Sequence, residues 1–266
     1  MEKRDVKILE DIKAVKIQGA TNLAKSALQV YERNLDEKTK KLILSLRPTE
    51  PLLAHIVSNF NGNNKEQILA HLKKTQEKIN KLVLPLIKNN SIIFTHCHST
   101  SVVNALKFAR KKGKKFTAYS TETRPLFQGR KTASELKKAG IDVLAFVDSA
   151  AAIALSGRQG LKKPDLVFLG ADAILRNGVI NKVGSGLFAH IASEQNIPVY
   201  ILADSWKYSH STLKLEERDF HEVWKNAPKH IKIKNLAFEL ISPSHIKAIV
   251  SELGILPFNK FLSKLK

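Results

Sequence analysis

The stretch SIIFTHCHSTSVVNALKFARKKGKKFTAYS, residues 91–120, decides the fold. Its two apolar runs, Ser91–Thr95 and Phe116–Ser120, have the length and composition of strands that are covered on both faces. Between them, residues 101–112 carry apolar side chains at helical spacing. A strand, a helix and a second strand of these lengths form a βαβ unit, in which the two strands are parallel. The stretch therefore predicts a parallel sheet covered by helices.

The same alternation continues towards the carboxyl terminus. Further apolar runs at Val143–Val147, Leu166–Leu169 and Val199–Ala203 alternate with amphipathic segments near 131–139, 149–156 and 184–195. Residues 1 to about 85 show helical spacing instead, interrupted by a turn at Arg47–Pro51 and a polar loop at Asn59–Asn64. We therefore predict an α/β protein with two domains. Residues 1–88 would form an N-terminal helical domain, and residues 89–266 a C-terminal Rossmann-like domain with a mainly parallel sheet.

Composition excludes several classes of protein. The chain has 266 residues, of which 43% are hydrophobic and 26% charged, so it is neither disordered nor fibrous. Its single cysteine, Cys97, excludes an intramolecular disulfide and a metal site built from cysteines alone. No apolar stretch approaches the roughly 20 residues that a membrane span needs, and the first residues lack an apolar signal region. We expect a soluble, cytosolic protein without a membrane partner.

The formal net charge of +20 raises the question of nucleic-acid binding. Lysines are scattered through most helical segments, with the densest run at Arg110–Lys115. Aromatic residues are not interleaved with them, and no nucleic-acid-binding motif is present. We therefore interpret most of the charge as a solvated surface and the remainder as steering an anionic ligand or a polyanion. Any binding of nucleic acid should be weak and non-specific.

Polar clusters follow the predicted strands at their carboxyl ends. In chain order they are His96-Cys97-His98-Ser99, Thr121–Pro125 with Gln128-Gly129, Asp148-Ser149, Gly170-Ala171-Asp172 with Asn181-Lys182 further on, and Asp204 with Lys207. In an open parallel sheet the carboxyl ends of the strands share one edge, which is where ligands bind. The clusters therefore predict a single site at that edge.

Each cluster also has a purely structural explanation. Cys97 has the size and polarity of a buried apolar residue, Asp148 and Asp172 stand where helix N-caps occur, Arg124-Pro125 suits a turn, and Asn177-Gly178 suits a tight turn.

Metal and cofactor sites find less support. His96 and His98 flank Cys97 in a pattern that suits zinc, but no second cysteine or nearby carboxylate completes the ligand set. The glycines at 170, 184 and 186 do not form a dinucleotide-binding fingerprint. We expect neither a metal nor an organic cofactor.

At these clusters the sequence resembles the aldose–ketose isomerase superfamily. The superfamily contains ribose-1,5-bisphosphate isomerases, methylthioribose-1-phosphate isomerases, and the regulatory alpha, beta and delta subunits of the exchange factor for translation initiation factor two. The resemblance extends from about Ile12 to Pro257. It is carried by Thr95–Ser99, by Thr121–Pro125 with Gln128-Gly129, and by Gly170–Asp172 with Asn177-Gly178 and Asn181–Gly184.

Two positions distinguish the branches of the superfamily. The isomerases resemble one another in having a cysteine and an aspartate where this chain has Cys97 and Asp172, whereas the translation-factor subunits typically have serine and glutamate. Thr-His-Cys-His-Ser, followed near the carboxyl terminus by Ile-Leu-Pro, looks closest to the archaeal ribose-1,5-bisphosphate branch.

The resemblance implies the conversion of ribose 1,5-bisphosphate to ribulose 1,5-bisphosphate in nucleotide salvage, with Asp172 as the acid and Cys97 as the base. We expect burial to raise the pKa of Asp172. A helix N-terminus with His96 and His98 alongside should lower the pKa of Cys97. We also expect a homo-oligomer. The resemblance further implies phosphate binding by Arg47, Arg124, Lys182 and Lys207, and a sugar pocket lined by Gly19, Ala20, Ser99, Gln128 and Asn181.

One departure from the isomerase pattern favours a different class of function. The family's isomerases usually read Arg-Gly-Ala near the N-terminus, where this chain reads Gln18-Gly19-Ala20. An amide at Gln18 cannot supply the bidentate, charge-assisted grip of a guanidinium on a phosphate. Gln18 and the basic charge favour a non-catalytic binding or regulatory subunit of the translation-factor type. A third alternative, a methylthioribose-1-phosphate isomerase, is disfavoured because Lys207 stands where an apolar pocket would be needed.

Overall fold

The computed structural model describes residues 1–17 and 19–265. Five helices precede the first strand: α1 (Lys3–Lys13), α2 (Ala20–Arg33), α3 (Glu37–Leu46), α4 (Pro51–Asn59) and α5 (Lys65–Val83). The elements that follow are β1 (Ser91–Thr95), α6 (Thr100–Lys111), β2 (Phe116–Thr121), α7 (Gln128–Lys138), β3 (Asp142–Phe146), α8 (Ala151–Ser156), β4 (Leu166–Leu169), β5 (Ala173–Leu175), β6 (Gly178–Lys182), α9 (Ser185–Glu194), β7 (Val199–Leu202), β8 (Phe238–Ile241), β9 (Ala248–Ser251), β10 (Gly254–Leu256) and α10 (Phe258–Ser263).

The first residues of several helices explain where those helices begin. The Asp36 carboxylate accepts a hydrogen bond from the Thr39 N–H and so caps α3. Pro51 is the first residue of α4, a position where its missing N–H has no helical partner to lose. Gly19 precedes α2 with φ +86°, a left-handed conformation that suits glycine.

The main sheet has seven strands in the order β10-β9-β7-β4-β1-β2-β3. All neighbouring pairs are parallel except the antiparallel pair β9 and β10. The chain builds β1, β2 and β3 towards one edge, then crosses back to place β4 on the other side of β1. The order of strands therefore reverses between β1 and β4, and such a reversal opens a crevice at the carboxyl ends of the strands.

The α/β class and the mainly parallel sheet are confirmed. Each of the five apolar runs forms a strand, and all five are correct to within one residue at both ends. The segment near 131–139 begins earlier than predicted, at Gln128, and the segment near 149–156 starts as a 3-10 turn before α8.

A second, three-stranded sheet in the order β5-β6-β8 was not predicted. It is antiparallel, and it places Asn181 and Lys182 on β6 rather than at the carboxyl end of β4. The tight turn predicted at Asn177-Gly178 lies one residue earlier, because Arg176 and Asn177 form the loop and Leu175 pairs with Gly178, the first residue of β6. The small sheet therefore brings two predicted site residues to the crevice from a separate layer.

Apolar clusters cover both faces of the main sheet. On one face α8 and α9 pack through residues such as Leu155 and Phe188, and on the other α5 and α6 pack through residues such as Ile79 and Leu106. A third cluster joins α1 to α5. Within the described ranges, none of the helices is long and apolar enough to cross a membrane.

Candidate active site

An open cavity lies at the crevice between β1 and β4. The loops after β1, β2 and β4 form one side of it, and the residues around the start of α2 and between α3 and α4 form the other. Ten of the predicted site residues line this cavity, namely Gly19, Ala20, Arg47, Cys97, Ser99, Gln128, Asp172, Asn181, Lys182 and Lys207. Gln18 lies outside the described residues.

Arg124 does not reach the cavity, which corrects its predicted place in the site. Its side chain is exposed, and Nη2 donates a hydrogen bond to the Val223 carbonyl at 3.0 Å. The Asp148 carboxylate holds the loop in this position by accepting from the N–H groups of Thr123 (2.8 Å) and Arg124 (2.7 Å). Asp148 therefore fixes a loop instead of capping α8, and the Arg124 guanidinium contacts the Val223 carbonyl outside the lining of the cavity.

The loop after β1 is held by hydrogen bonds to His96. Its Nε2 lies 2.9 Å from the Val183 carbonyl and its Nδ1 lies 2.5 Å from the Thr121 hydroxyl. Because a carbonyl only accepts, Nε2 carries the proton and Nδ1 accepts from the hydroxyl. Burial lowers the pKa of His96 to about 4, so the ring is neutral at physiological pH.

A second chain of hydrogen bonds supports Cys97. The Thr132 hydroxyl donates to the Cys97 carbonyl at 2.8 Å, which leaves the His98 Nδ1–H to donate to the Thr132 oxygen at 3.0 Å. The Cys97 N–H donates to the Thr123 hydroxyl at 3.0 Å. These bonds hold Cys97 at φ +65°, a conformation that costs a non-glycine residue energy and that persists where its surroundings enforce it. The loop thereby aims the thiol into the cavity.

The predicted lowering of the Cys97 pKa is wrong for this structure. Removal from bulk water, followed by the nearby Asp172 carboxylate, raises the pKa of the thiol to about 12. Neither flanking histidine offsets this, because burial also lowers the pKa of His98 to about 4 and both rings are uncharged. Cys97 is therefore a thiol at physiological pH.

The predicted raising of the Asp172 pKa is confirmed. Burial is the main cause, and it outweighs the opposing effect of Lys207 and Arg47. The Asp172 N–H donates to the Ile180 carbonyl at 2.9 Å, so the residue joins β4 to the small sheet and does not begin a helix. Burial also lowers the pKa of Lys182, whose ammonium in turn favours the thiolate form of Cys97.

Residues 6–258 match the model of the initiation factor 2 subunit family. The chain belongs to this family. It is 32% identical to the ribose 1,5-bisphosphate isomerase of Thermococcus kodakarensis, over 96% of this chain and 91% of that relative. The crystal structure of the Pyrococcus horikoshii translation initiation factor eIF-2B superposes with a TM-score of 0.83 at 24% identity, covering 97% of this chain and 98% of that one. The tetrameric eIF2B beta–delta complex of C. thermophilum has a chain that superposes with a TM-score of 0.76 at 16% identity, covering 95% and 92%.

In this member of the initiation factor 2 subunit family, three charged residues of the site were not predicted. Glu50 and Arg218 line the cavity, and Glu216 lies 3.4 Å from Arg47. Of these three residues, only Glu50 could have been found from the sequence. It follows Arg47 by three residues in a turn between two helical segments, so the two side chains are expected to lie close together. Glu216 and Arg218 lie in an irregular segment more than 150 residues away, where no periodicity indicates which way a side chain points.

Among the described residues of this family member, one group of potential metal ligands lies outside the lining of the cavity. Ligand atoms of His71, Asp204 and Glu252 lie within 4.8 Å of one another. Their hydrogen bonds explain this proximity without an ion. Asp204 accepts from the Trp206 N–H and contacts His71 Nε2 at 3.2 Å, and Glu252 accepts from the Ser205 N–H. The group fixes the turn that carries Lys207.

Proposed function

We propose that this protein is an aldose–ketose isomerase that converts ribose 1,5-bisphosphate into ribulose 1,5-bisphosphate. The observation that carries the proposal is the position of Cys97 and Asp172. They follow β1 and β4, the two strands that flank the reversal of strand order, and both face one cavity with Lys182 beside them. The relatives named ribose 1,5-bisphosphate isomerase support an isomerase activity for the chain.

The chemistry of a sugar 1-phosphate explains why two such groups are needed. The anomeric oxygen is esterified, so the ring cannot open by simple hemiacetal reversal. An acid must protonate the ring oxygen while the bond from this oxygen to C1 breaks, and a base must remove the proton at C2. The raised pKa of Asp172 keeps a proton on its carboxyl group for the first step.

In the proposed reaction, Asp172 and Cys97 supply and take up every proton that is transferred. Asp172 gives its proton to the ring oxygen, and the Cys97 thiolate takes the proton from C2 to leave an enol. The thiol then returns this proton to C1, and the enol hydroxyl at C2 gives its proton to the Asp172 carboxylate as the ketone forms. Both residues end in their starting states, so no cofactor is consumed.

The thiolate is the less populated form of Cys97, since its pKa is raised to about 12. The ammonium group of Lys182 stabilises it, and an exclusion of water on substrate binding would strengthen this interaction. We propose that Arg47, Lys182 and Lys207 hold phosphate groups, and that Gly19, Ala20, Ser99, Gln128 and Asn181 line the sugar.

The proposed roles are tested by two substitutions. Cys97→Ser and Asp172→Asn should each abolish the conversion of ribose 1,5-bisphosphate, while the free energy of unfolding stays within about 1–2 kcal/mol of that of the unmodified protein. Turnover is measured by the appearance of the ketose, and stability by chemical denaturation. Near-normal turnover in either variant would remove that residue from the mechanism.

A non-catalytic regulatory or binding protein is the alternative function. It is favoured by Gln18 in place of the family's arginine and by the raised pKa of Cys97, which keeps this residue protonated. The same assay separates the two functions, because a regulatory protein would bind a sugar phosphate without converting it. A methylthioribose-1-phosphate isomerase remains the third candidate, and the cavity-lining Lys207 disfavours it.

We also propose that the protein forms a homo-oligomer. Exposed apolar side chains support this, among them Leu144 and Val147 at the edge strand β3 and its end. Sedimentation equilibrium at physiological salt tests the proposal, and a monomer throughout the micromolar range would contradict it.

A further inference from the structure

Arg47 and Glu50 form an ion pair in the wall of the cavity. The Arg47 side chain is 6% exposed and that of Glu50 is 3% exposed, and Nη2 of the arginine donates to Oε1 of the glutamate at 3.2 Å. Both residues stand on the short segment between α3 and α4. Glu50 occupies the N-cap position of α4, yet its carboxylate makes no capping hydrogen bond and turns to the arginine instead.

Some polar atoms of this ion pair have no hydrogen-bond partner among the described residues. Throughout the described ranges, neither Arg47 Nε nor Glu50 Oε2 has a hydrogen-bond partner, although both atoms are buried. Glu216 Oε2, which faces Arg47 Nε at 3.4 Å, is likewise without one. Buried polar atoms in proteins are almost always hydrogen-bonded. Arg47 Nε is therefore a buried donor that a phosphate oxygen could satisfy, whereas the two carboxylate oxygens accept hydrogen bonds only from donors.

The charges around Glu50 come from four elements. Arg47 lies on its own segment, Asp172 follows β4, Lys207 lies in the turn after β7, and Glu216 lies in the long segment before β8. Burial and then Asp172 raise the pKa of Glu50 to about 8, against the opposing effect of Arg47 and Lys207. Glu50 thus changes its charge near physiological pH while it contacts Arg47.

Other cations of the cavity are also engaged by protein groups. Arg218 donates to Glu216 at 3.0 Å and to Glu222 at 3.0 Å. Lys207 Nζ donates to the Ala171 carbonyl at 2.5 Å. Among the described residues, a phosphate group that binds Arg47 would therefore compete with the Glu50 carboxylate.

We propose that Glu50 competes with a phosphate group of the ligand for Arg47, and so sets how tightly the site holds a doubly phosphorylated sugar. The identity of the sugar in this inference rests on the proposed function. The competition between Glu50 and a phosphate group for Arg47 does not. A guanidinium binds a phosphate best through two parallel N–H donors. The ionised Glu50 occupies the Nη2 donor and repels the phosphate, whereas a protonated Glu50 releases Arg47 and removes the repulsion.

The test is the affinity for inorganic phosphate at pH 7 and pH 9, measured by calorimetry at fixed ionic strength. Inorganic phosphate itself loses its second proton over the lower part of this range and becomes more negative, which by itself would tighten its binding to a cation, so a rise in Kd with pH has the opposite sign to the effect of its own titration. As Glu50 loses its proton, the Kd of the unmodified protein should rise by about tenfold. In Glu50→Gln the Kd should be nearly independent of pH and, at pH 9, about tenfold lower than in the unmodified protein.

Glu217→Gln serves as the matched control. Glu217 is a neighbour of Glu216 in the chain, is exposed, and pairs with Lys234 at 3.1 Å, away from Arg47. This variant should keep both the Kd and its pH dependence. The measurement on the unmodified protein needs no variant at all, so it decides the matter even if Glu50→Gln folds poorly.

Two results would overturn the competition. The first is that the Kd of the unmodified protein for phosphate does not rise between pH 7 and pH 9. A complete absence of phosphate binding counts as this result. The other is a folded Glu50→Gln that binds phosphate no more tightly than the unmodified protein at pH 9. The isomerase proposal fails separately, if ribose 1,5-bisphosphate is not converted while inorganic phosphate shows the expected pH dependence.

Discussion

Cys97 shows how strongly the surroundings of one residue change its chemistry. Its position before a helix and between two histidines suggests a reactive thiolate, but both imidazoles are neutral and the thiol is shielded from bulk water. The thiol is therefore expected to react slowly with an alkylating reagent, since only the thiolate is nucleophilic.

The pH dependence of this reaction measures the pKa of Cys97 directly. With a pKa of about 12, the rate of alkylation by iodoacetamide should increase roughly tenfold per pH unit from pH 7 to pH 10 without a plateau. Cys97 is the only cysteine, so label located on the peptide that carries it, separated by mass spectrometry from lysine alkylation at high pH, reports on this thiol. The unfolded protein in denaturant is the control and should level off near the ordinary cysteine pKa of about 8.5. A plateau below pH 9 in the folded protein would show that the thiol is activated.

His96 makes the stability of the protein depend on pH. Its pKa is about 4 in the folded state, below the roughly 6.5 of an unfolded chain, so the unfolded state binds the proton more readily. Its contribution to stability is therefore complete above pH 6.5 and is lost as the pH falls towards 4.

Replacing His96 should remove this dependence. Between pH 7 and pH 5, the free energy of unfolding of His96→Gln should fall by about 2 kcal/mol less than that of the unmodified protein. Denaturation in guanidinium chloride at the two pH values measures the difference. Equal losses in both proteins would mean that His96 is already charged or exposed in the folded state.

At the scale of single elements, α7 reaches the site because Gly129 lets its first turn lie against the end of β2. A Cβ at this position would stand 1.7 Å from the Thr121 carbonyl oxygen, which belongs to the backbone and cannot move aside. The preceding residue, Gln128, lines the cavity. A side chain at position 129 would therefore shift both the helix and a residue of the site.

Gly129→Ala should lower the free energy of unfolding by at least about 3 kcal/mol, because overpacking against backbone is costly. It should also weaken the binding of sugar phosphates through Gln128. The exposed Ser134→Ala on the same helix is the control, and its stability should change by less than about 0.5 kcal/mol. Calorimetric unfolding compares the two, and similar melting temperatures would show that α7 does not depend on this close approach.

At the scale of the whole molecule, the site exists only where the N-terminal helices meet the sheet. Trp206 joins the two parts, since its ring is stacked between His55 of α4 at 4.4 Å and His71 of α5 at 3.5 Å between centroids. The next residue is Lys207 of the cavity. The division into domains at residues 88 and 89 stays a prediction, as does the weak, non-specific binding of nucleic acid.

Trp206→Ala should destabilise the protein by about 3 kcal/mol and weaken phosphate binding, because a large aromatic contact is lost beside Lys207. Trp224→Ala is the matched control, since this other tryptophan is 48% exposed and should be replaceable at a cost below about 0.5 kcal/mol. Equal stabilities of the two variants would indicate that the stacked rings contribute little to joining the helices and the sheet.

The sequence by itself determined the main sheet and the edge at which the site lies. Buried parallel strands must be apolar along their whole length, so Ser91–Thr95 and Leu166–Leu169 stand out from their surroundings, and the polar residues that follow them have to emerge at one edge. The small sheet was not visible in this way. Its strands have only three to five residues, and β6 pairs with β8, whose partner residues lie about 60 positions away, as in Ile180 with Leu240.

The tertiary structure alone decided the charges within the site. Whether Cys97 and His96 are ionised depends on how much water and which charges surround them, and these groups come from segments that are distant in the chain. The same holds for Arg47, whose partner Glu216 arrives from a segment without regular structure. A pattern of residues records which side chains are present and which face of an element they occupy, whereas a pKa is set by the distances among them after folding.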